Sequence, residues 1–318
     1  MKRAHPRLSA LALLALTALA APVAAQRVEL ADDRGRTIVL PAPAKRIVSL
    51  APHVTEMLFA AGAGERVVGA VDYSDYPAAA KALPRVGGYT RIDLEAVATL
   101  HPDLVIGWHS GNRESDVDRL QAIGLPVYLS EPRNLEDVAR GLEQFGRLAG
   151  TTPTADAAAS AFRARRDRLA ALHAGRAPVR VFYQIWERPL ITINDEHLIA
   201  DVIRLCGGRN VFGAIAHLTP TIGTEAVLAA NPEAIVASGM DAARPEWLDQ
   251  WARWPQLDAA RRGNLFFIPP ELIQRHTPRI LDGAQRLCEQ LDIARARQAG
   301  AVDAGVTPRA DRPADPRQ

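Results

Sequence analysis

The chain has 318 residues, 48% hydrophobic and 23% charged, with a formal net charge of +2. That length accommodates two domains of ordinary size, and the composition is that of a soluble globular protein. A charge so near zero gives no general electrostatic case for nucleic acid, and two cysteines, Cys206 and Cys288, show no CxxC or zinc-ligand spacing.

The start of the chain reads as a secretory signal over residues 1–25. Lys2, Arg3 and Arg7 are basic, residues 8–21 are an almost unbroken run of Leu and Ala, and Val23-Ala24-Ala25 offers small residues to signal peptidase. The apolar run is shorter than the ~20 residues of a membrane-spanning helix. The mature chain is expected to begin at Gln26 in the periplasm, with no cysteine near the cleavage site to carry a lipid. In an oxidising compartment two cysteines usually pair. A Cys206–Cys288 bridge is therefore expected, with two buried free thiols as the alternative.

Short apolar strands then alternate with helices. Strands are predicted at residues 46–50, 67–71, 104–108 and 127–129, and helices at 54–61, 94–100 and 116–123. Residues 134–173 are Ala-rich and helical, with a break near Gly150-Thr151-Thr152-Pro153 and a charged face of Arg163, Arg165, Arg166 and Arg168. Alternation resumes with strands at 179–183, 234–237 and 265–268 and a helix at 198–205 closed by Gly207-Gly208. The pattern predicts an α/β protein: two Rossmann-like lobes, each a mainly parallel sheet flanked by helices, joined by a long connecting helix. The expected boundaries are 26–133 for the N-terminal lobe, 134–177 for the connector and 178–294 for the C-terminal lobe. Residues 295–318, rich in Ala, Arg, Asp and Pro, are expected to be a disordered tail.

An internal echo supports two related lobes. Leu94-Glu95-Ala96-Val97-Ala98-Thr99-Leu100-His101-Pro102-Asp103 matches Thr224-Glu225-Ala226-Val227-Leu228-Ala229-Ala230-Asn231-Pro232-Glu233, each followed by an apolar strand. A cleft between two lobes is a preferred ligand site.

No motif carries enzyme chemistry. Gly62-Ala63-Gly64 ends a helix and is followed by Val67 where a dinucleotide loop needs glycine. Gly107-Trp108-His109-Ser110-Gly111 misses the nucleophile elbow, with His109 at the serine position. Eight scattered histidines lack the clustering of a dedicated metal receptor. Tyr73, Tyr76, Tyr89, Trp108 and Trp186 fall at or just beyond predicted strand ends, where α/β sheets bind ligands, and can stack on a flat apolar ligand. Trp247, Trp251 and Trp254 recur at helical spacing and read as core. Arg275 follows the last strand and can donate to amide or phosphate oxygens.

Taken together, Ser49-Leu50-Ala51-Pro52 with Thr55-Glu56, Tyr73-Ser74-Asp75-Tyr76-Pro77, Pro102-Asp103-Leu104-Val105-Ile106 with Trp108, Cys206-Gly207-Gly208 and Thr277-Pro278-Arg279-Ile280 resemble the periplasmic cobalamin-binding proteins of ABC importers. The wider group includes siderophore and haem receptors. The resemblance runs from about Lys45 to Ile293. It implies that Tyr73, Tyr89 and Trp108 line a corrin pocket, with Trp186 nearby and Glu271 and Arg275 facing them from the other lobe. It implies that Glu95 and Glu225 dock on the two permease subunits, and that Cys206 and Cys288 form the family's disulfide. Thr219 stands where a pocket Trp is expected, and Ile185 and Ile191 where Phe is expected; His53 and His109 are expected on loops facing the cleft. The implied function is capture of a corrinoid and delivery to an inner-membrane ABC importer. The protein would act as a monomer, without catalysis, resident metal or cofactor, the corrinoid being cargo. A haem or ferric-siderophore receptor of the same group, or an exported α/β enzyme, are the alternatives.

Overall fold

Runs of aliphatic residues buried on both faces form the strands, and each run alternates its side chains between two cores. In the computed structural model, which describes residues 27–239 and 243–305, a short antiparallel hairpin comes first, β1 (Val28–Ala31) and β2 (Thr37–Leu40). There follow β3 (Ile47–Ser49), α1 (Pro52–Ala60), β4 (Val67–Ala70), the short pair β5 (Gly87–Gly88) and β6 (Arg91–Ile92), α2 (Leu94–Thr99), β7 (Leu104–Trp108), α3 (Glu114–Ala122) and β8 (Val127–Ser130). Strands β4, β3, β7 and β8 lie side by side in that order, all parallel.

Two helices lead to the second lobe, α4 (Leu135–Ala149) and α5 (Thr152–His173). The second lobe contains β9 (Val179–Gln184), α6 (Leu198–Leu205), β10 (Gly208–Asn210), α7 (Thr224–Ala230), β11 (Ala234–Ala237), α8 (Asp258–Arg261), β12 (Leu265–Phe267), α9 (Pro270–Ile273) and α10 (Ile280–Gly305). Its sheet order is β10-β9-β11-β12, again all parallel. The hairpin, β10 and α8 to α10 were not expected from the sequence. They are short or lack a clean apolar period, α10 excepted.

The long connector is two helices, α4 and α5, divided at Gly150-Thr151, where the sequence placed a break. Asn134 starts α4 by accepting a hydrogen bond from the Asp137 N–H (2.9 Å). Gly150 ends it in the left-handed region, where a side chain would also meet the Pro43 ring. Pro153 then lies in the first turn of α5, where proline is tolerated. The arginines of α5 are engaged: Arg163 bridges Glu136 and Glu143, Arg166 pairs with Glu136, and Arg165 with Asp282.

One apolar core runs through the whole assembly. Leu104, Ile106 and Tyr128 of the first sheet, Val138, Leu142 and Phe145 of α4, Phe162 and Leu169 of α5, and Val179, Val181 and Tyr183 of β9 belong to it. The alternate positions, Val105, Val127 and Leu129 in one lobe and Phe182, Ile235 and Ala237 in the other, face two outer cores. This period of two is what a sheet covered on both faces requires.

The sequence echo has a structural basis. Asp103 accepts hydrogen bonds from the backbone of Lys45 and Arg46 at the start of β3, at 2.8 and 3.0 Å. Glu233 does the same for Arg180 at the start of β9, at 2.8 Å. Arg46 donates to the carbonyls of Leu100 and His101, and Arg180 to that of Asn231. His101 and Asn231 both adopt positive φ, +44° and +40°, just before the shared proline. Each lobe thus ties its first strand to its third by the same Arg–helix-end and acid–backbone lock.

Residues 295–305 correct the expected tail. α10 continues through Gly305, because the Ala-rich sequence favours helix and its arginines find carbonyls. Arg295 donates to Ala177 and Cys206, and Arg297 to Gly263. The expected signal, residues 1–25, and the tail beyond residue 305 lie outside the described residues. Among the described residues no helix is long and apolar enough to cross a membrane.

Cys206, which caps α6, is disulfide-bonded to Cys288 on α10 across a separation of 82 residues. In the chain-entropy model such a loop contributes on the order of 4 kcal/mol. Reduction, or the double change Cys206→Ala/Cys288→Ala, should therefore lower the melting temperature by roughly 5–15 °C. A melting curve unmoved by reductant would assign the bridge no role in stability.

Candidate functional site

A cavity of about 380 Å³ opens between the lobes. Its wall is built at the carboxyl ends of strands from both sheets: Trp108 ends β7, Glu131 and Arg133 follow β8, Ile185 follows β9, and Gln274 and His276 follow β12 and α9. Such strand ends are where α/β sheets bind ligands.

Trp108 is seated by its own turn. Asn112, buried, accepts from the Trp108 N–H at 2.7 Å and donates to the carbonyls of Leu50 and Tyr89 at 2.9 and 2.8 Å. A side chain at Gly111 would come within 1.9 Å of the indole, and one at Gly107 within 2.8 Å of Asn112. The glycines that resembled a nucleophile elbow instead give the indole its room. Glu131 holds the same turn, accepting from the Ser110 N–H and hydroxyl at 2.8 and 3.0 Å. Tyr89 lies beside Trp108, with ring centroids 6.1 Å apart, within the range of interacting aromatic pairs.

The other expected residues lie on separate loops and helices of the two lobes. Tyr73 is 76% exposed, on a backbone with φ +63°, beyond β4. Its loop is anchored by a buried hydroxyl cluster in which Thr55 Oγ1 hydrogen-bonds Ser49 (2.8 Å) and Ser74 (3.0 Å). Arg275 reaches across from the other lobe, donating to Asp75 at 2.6 Å and to the Tyr73 carbonyl at 3.4 Å. Trp186 donates its indole N–H to the Arg188 carbonyl at 3.0 Å, and Glu271 lies in the first turn of α9. Of the six expected ligand contacts only Trp108 forms part of the cavity wall. Thr219 and Ile185, which stand for expected aromatics, are also in that wall. His109 is exposed and outside it.

Glu95 and Glu225 are exposed in the first turns of α2 and α7, equivalent places in the echo. Trp247, Trp251 and Trp254 are not all core. Trp251 is buried and donates to Gln184 at 2.7 Å, Trp254 is 37% exposed, and all three line a separate pocket of about 230 Å³.

Two features escaped the sequence. A second link between the lobes joins Arg279, preceding α10, to Glu56 on α1, with both carboxylate oxygens accepting, at 2.7 and 2.6 Å. Glu56 is 2% exposed, and the guanidinium also lies 3.8 Å over the Tyr76 ring. Beside it, three imidazoles meet at the lobe boundary. His53 is 5.2 Å from both His276 and Trp108, and His276 is 5.9 Å from Trp108 and 6.2 Å from His197. Burial pushes His276 down to about 4 and His197 to about 3. His53 is lowered too, by burial first and then by His276 and Arg275. Their sequence positions, 53, 197 and 276, are too distant for any spacing rule to have joined them.

A family model described as periplasmic binding protein matches residues 47–272. The chain belongs to that family. It is 35% identical over 255 residues to the vitamin B12-binding protein of Vibrio cholerae serotype O1, covering 80% of this chain and 91% of the relative. The vitamin B12-binding protein of Vibrio parahaemolyticus is 34% identical over 259 residues, covering 80% and 92%. Among solved structures, the periplasmic vitamin B12 binding protein BtuF of Vibrio cholerae superposes with a TM-score of 0.73 at 34% identity, over 80% of this chain and 98% of that one. The haem-binding protein RhuT of Roseiflexus sp. RS-1 shares the fold, with a TM-score of 0.67 at 22% identity over 80% and 100%.

The buried imidazoles set a pH dependence. Folded, they stay neutral down to about 4 and about 3 for His276 and His197; unfolded, they take up protons below about 6.5. The unfolded chain binds more protons in that window, so stability falls as pH falls through it, by up to ~1.4 kcal/mol per unit for each histidine. Asp75 adds to the loss only at lower pH. Burial raises its carboxyl, but Arg275 and then Arg279 hold it below the ordinary range. Denaturant midpoints should drop between about pH 7 and pH 5, with a shallower drop in His276→Gln. Equal slopes for the two proteins would show that His276 contributes nothing to the effect.

Proposed function

We propose that this chain is a periplasmic receptor that captures a corrinoid, cobalamin, in the interlobe cleft and hands it to the permease dimer of an inner-membrane ABC importer. The observation that carries this is the cleft itself. An indole seated by Gly111 and Asn112, with Tyr89 beside it, walls a cavity shared by two lobes, in a chain whose relatives are named vitamin B12-binding proteins. Aromatic faces suit a large, flat, largely apolar macrocycle. The mixed lining of Ser110, Thr219, Gln274, Arg133 and Glu196 suits a ligand with many neutral amide groups better than a polyanion. Tyr73, Tyr89, Trp186, Glu271 and Arg275 are assigned to the same ligand. Residues 1–25 are assigned to export and removal.

Purified protein titrated with cyanocobalamin in a calorimeter should bind one to one. Trp108→Ala should weaken binding at least about tenfold, the loss of one stacked indole. Binding of haemin or a ferric siderophore with no heat from cyanocobalamin would move the ligand away from corrinoids.

Glu95 and Glu225, exposed at matched places on the two lobes, are assigned to docking on the two permease subunits. The double change Glu95→Ala/Glu225→Ala should abolish corrinoid uptake in cells while leaving corrinoid affinity in solution within about twofold. Unchanged uptake would overturn the docking assignment.

A further inference from the structure

The function proposed above leaves the His276 imidazole unused. This side chain comes from the second lobe, just past α9, and lies on the cavity wall beside Thr219 and Gln274 with 7% of its surface open. His53 approaches it from the first lobe. A buried imidazole normally satisfies its nitrogens, as His197 does by accepting from the Ile199 N–H at 3.1 Å. His276 Nδ1 and His53 Nε2 are buried and find no hydrogen-bond partner among the described residues. Each such atom has lost the hydrogen bond that water would give it, and an orphaned buried group beside a cavity calls for a partner that the protein does not supply.

A neutral imidazole nitrogen can serve a ligand by hydrogen bonding or by giving its lone pair to a metal. A corrinoid presents both peripheral amides and a cobalt centre. The amides find partners in Thr219, Gln274 and Ser110, which already line the cavity. A nitrogen donor for the metal is what the imidazoles add, and burial favours their neutral, donor-competent form.

We propose that His276 coordinates the metal of the bound cargo through an imidazole nitrogen, with His53 flanking it from the opposite lobe. This rests on the corrinoid reading. The bond that forms is imidazole nitrogen to cobalt, the bond that breaks is cobalt to its axial water, and the water leaves. No electron or proton is transferred. The receptor therefore selects cargo with an exchangeable axial position over cargo whose axial site is held by cyanide.

The test is a visible-spectrum titration of the purified protein with aquocobalamin and with cyanocobalamin. Wild type should convert the aquocobalamin spectrum to that of its complex with free imidazole, leave the cyanocobalamin spectrum unchanged, and bind aquocobalamin at least about tenfold more tightly. H276A should still bind aquocobalamin one to one but lose the spectral conversion and the preference, and added imidazole should restore the spectrum. One-to-one binding by wild type with no spectral conversion overturns the proposal and leaves the corrinoid reading standing. So does conversion retained in H276A or lost only in H53A. Failure to bind either corrinoid overturns the corrinoid reading and this proposal with it.

Discussion

The rest of the molecule depends on one continuous apolar core that passes from the first sheet, through α4 and α5, into the second. Two lobes joined by a flexible tether would open and close freely. Here Phe145 and Leu142 of α4 and Phe162 of α5 are buried in the same cluster as Ile106 on one side and Val181 on the other. Swinging a lobe would expose that surface at roughly 25 cal/mol per Å² of apolar area. The cleft is accordingly a permanent feature of the fold, and the interlobe pairs Arg279–Glu56 and Arg275–Asp75 set its width locally. Glu56 is deeply buried, so its partner is a structural requirement: a carboxylate at that place without Arg279 would be an uncompensated charge. Arg275–Asp75 is more open, with Asp75 half-exposed, and is the cheaper contact to exchange for a ligand group.

The two lobes repeat more than a sheet. The matched locks of Asp103 and Arg46 in one lobe and Glu233 and Arg180 in the other hold the third strand against the first in the same way. The echo is therefore a record of architecture. Its repeated acid, proline and positive-φ residue have structural reasons independent of any partner. Glu95 and Glu225 are exposed and take no part in these locks.

How much could be read without the structure follows from the same division. Strands β3, β7, β9 and β11 and helices α1, α2 and α6 announced themselves as local apolar runs bounded by glycine, proline or a capping residue. The pairing of Cys206 with Cys288 was an inference from compartment and family and needed no distance. The course of α10 past Arg295 was misread, since its stability comes from carbonyls at Ala177 and Gly263 that are far away in sequence. At the site, Trp108 and Tyr89 were recognisable as aromatics at strand ends. Asn112, Glu131, the Glu56–Arg279 link and the meeting of His53 with His276 and His197 were not, because these contacts exist only once residues dozens to hundreds apart are brought together. Tyr73, Trp186, Glu271 and Arg275 are not part of the cavity wall. Residue type at a strand end gives the neighbourhood of a ligand, but side-chain direction decides the contact.

The turn under Trp108 bears on how such a receptor tolerates change over generations. The indole presents a flat face, and several other rings could present one from the same backbone. Gly111 has no such substitutes, since even a methyl group there would occupy the space of the indole. Asn112 is similarly bound, because one side chain serves three backbone segments at once. Drift can retune the aromatic surface while the small residue and the amide beneath it stay fixed. In a lineage whose ligand changes, the silent pair marks where the cleft is, and the conspicuous ring marks only what it currently presents.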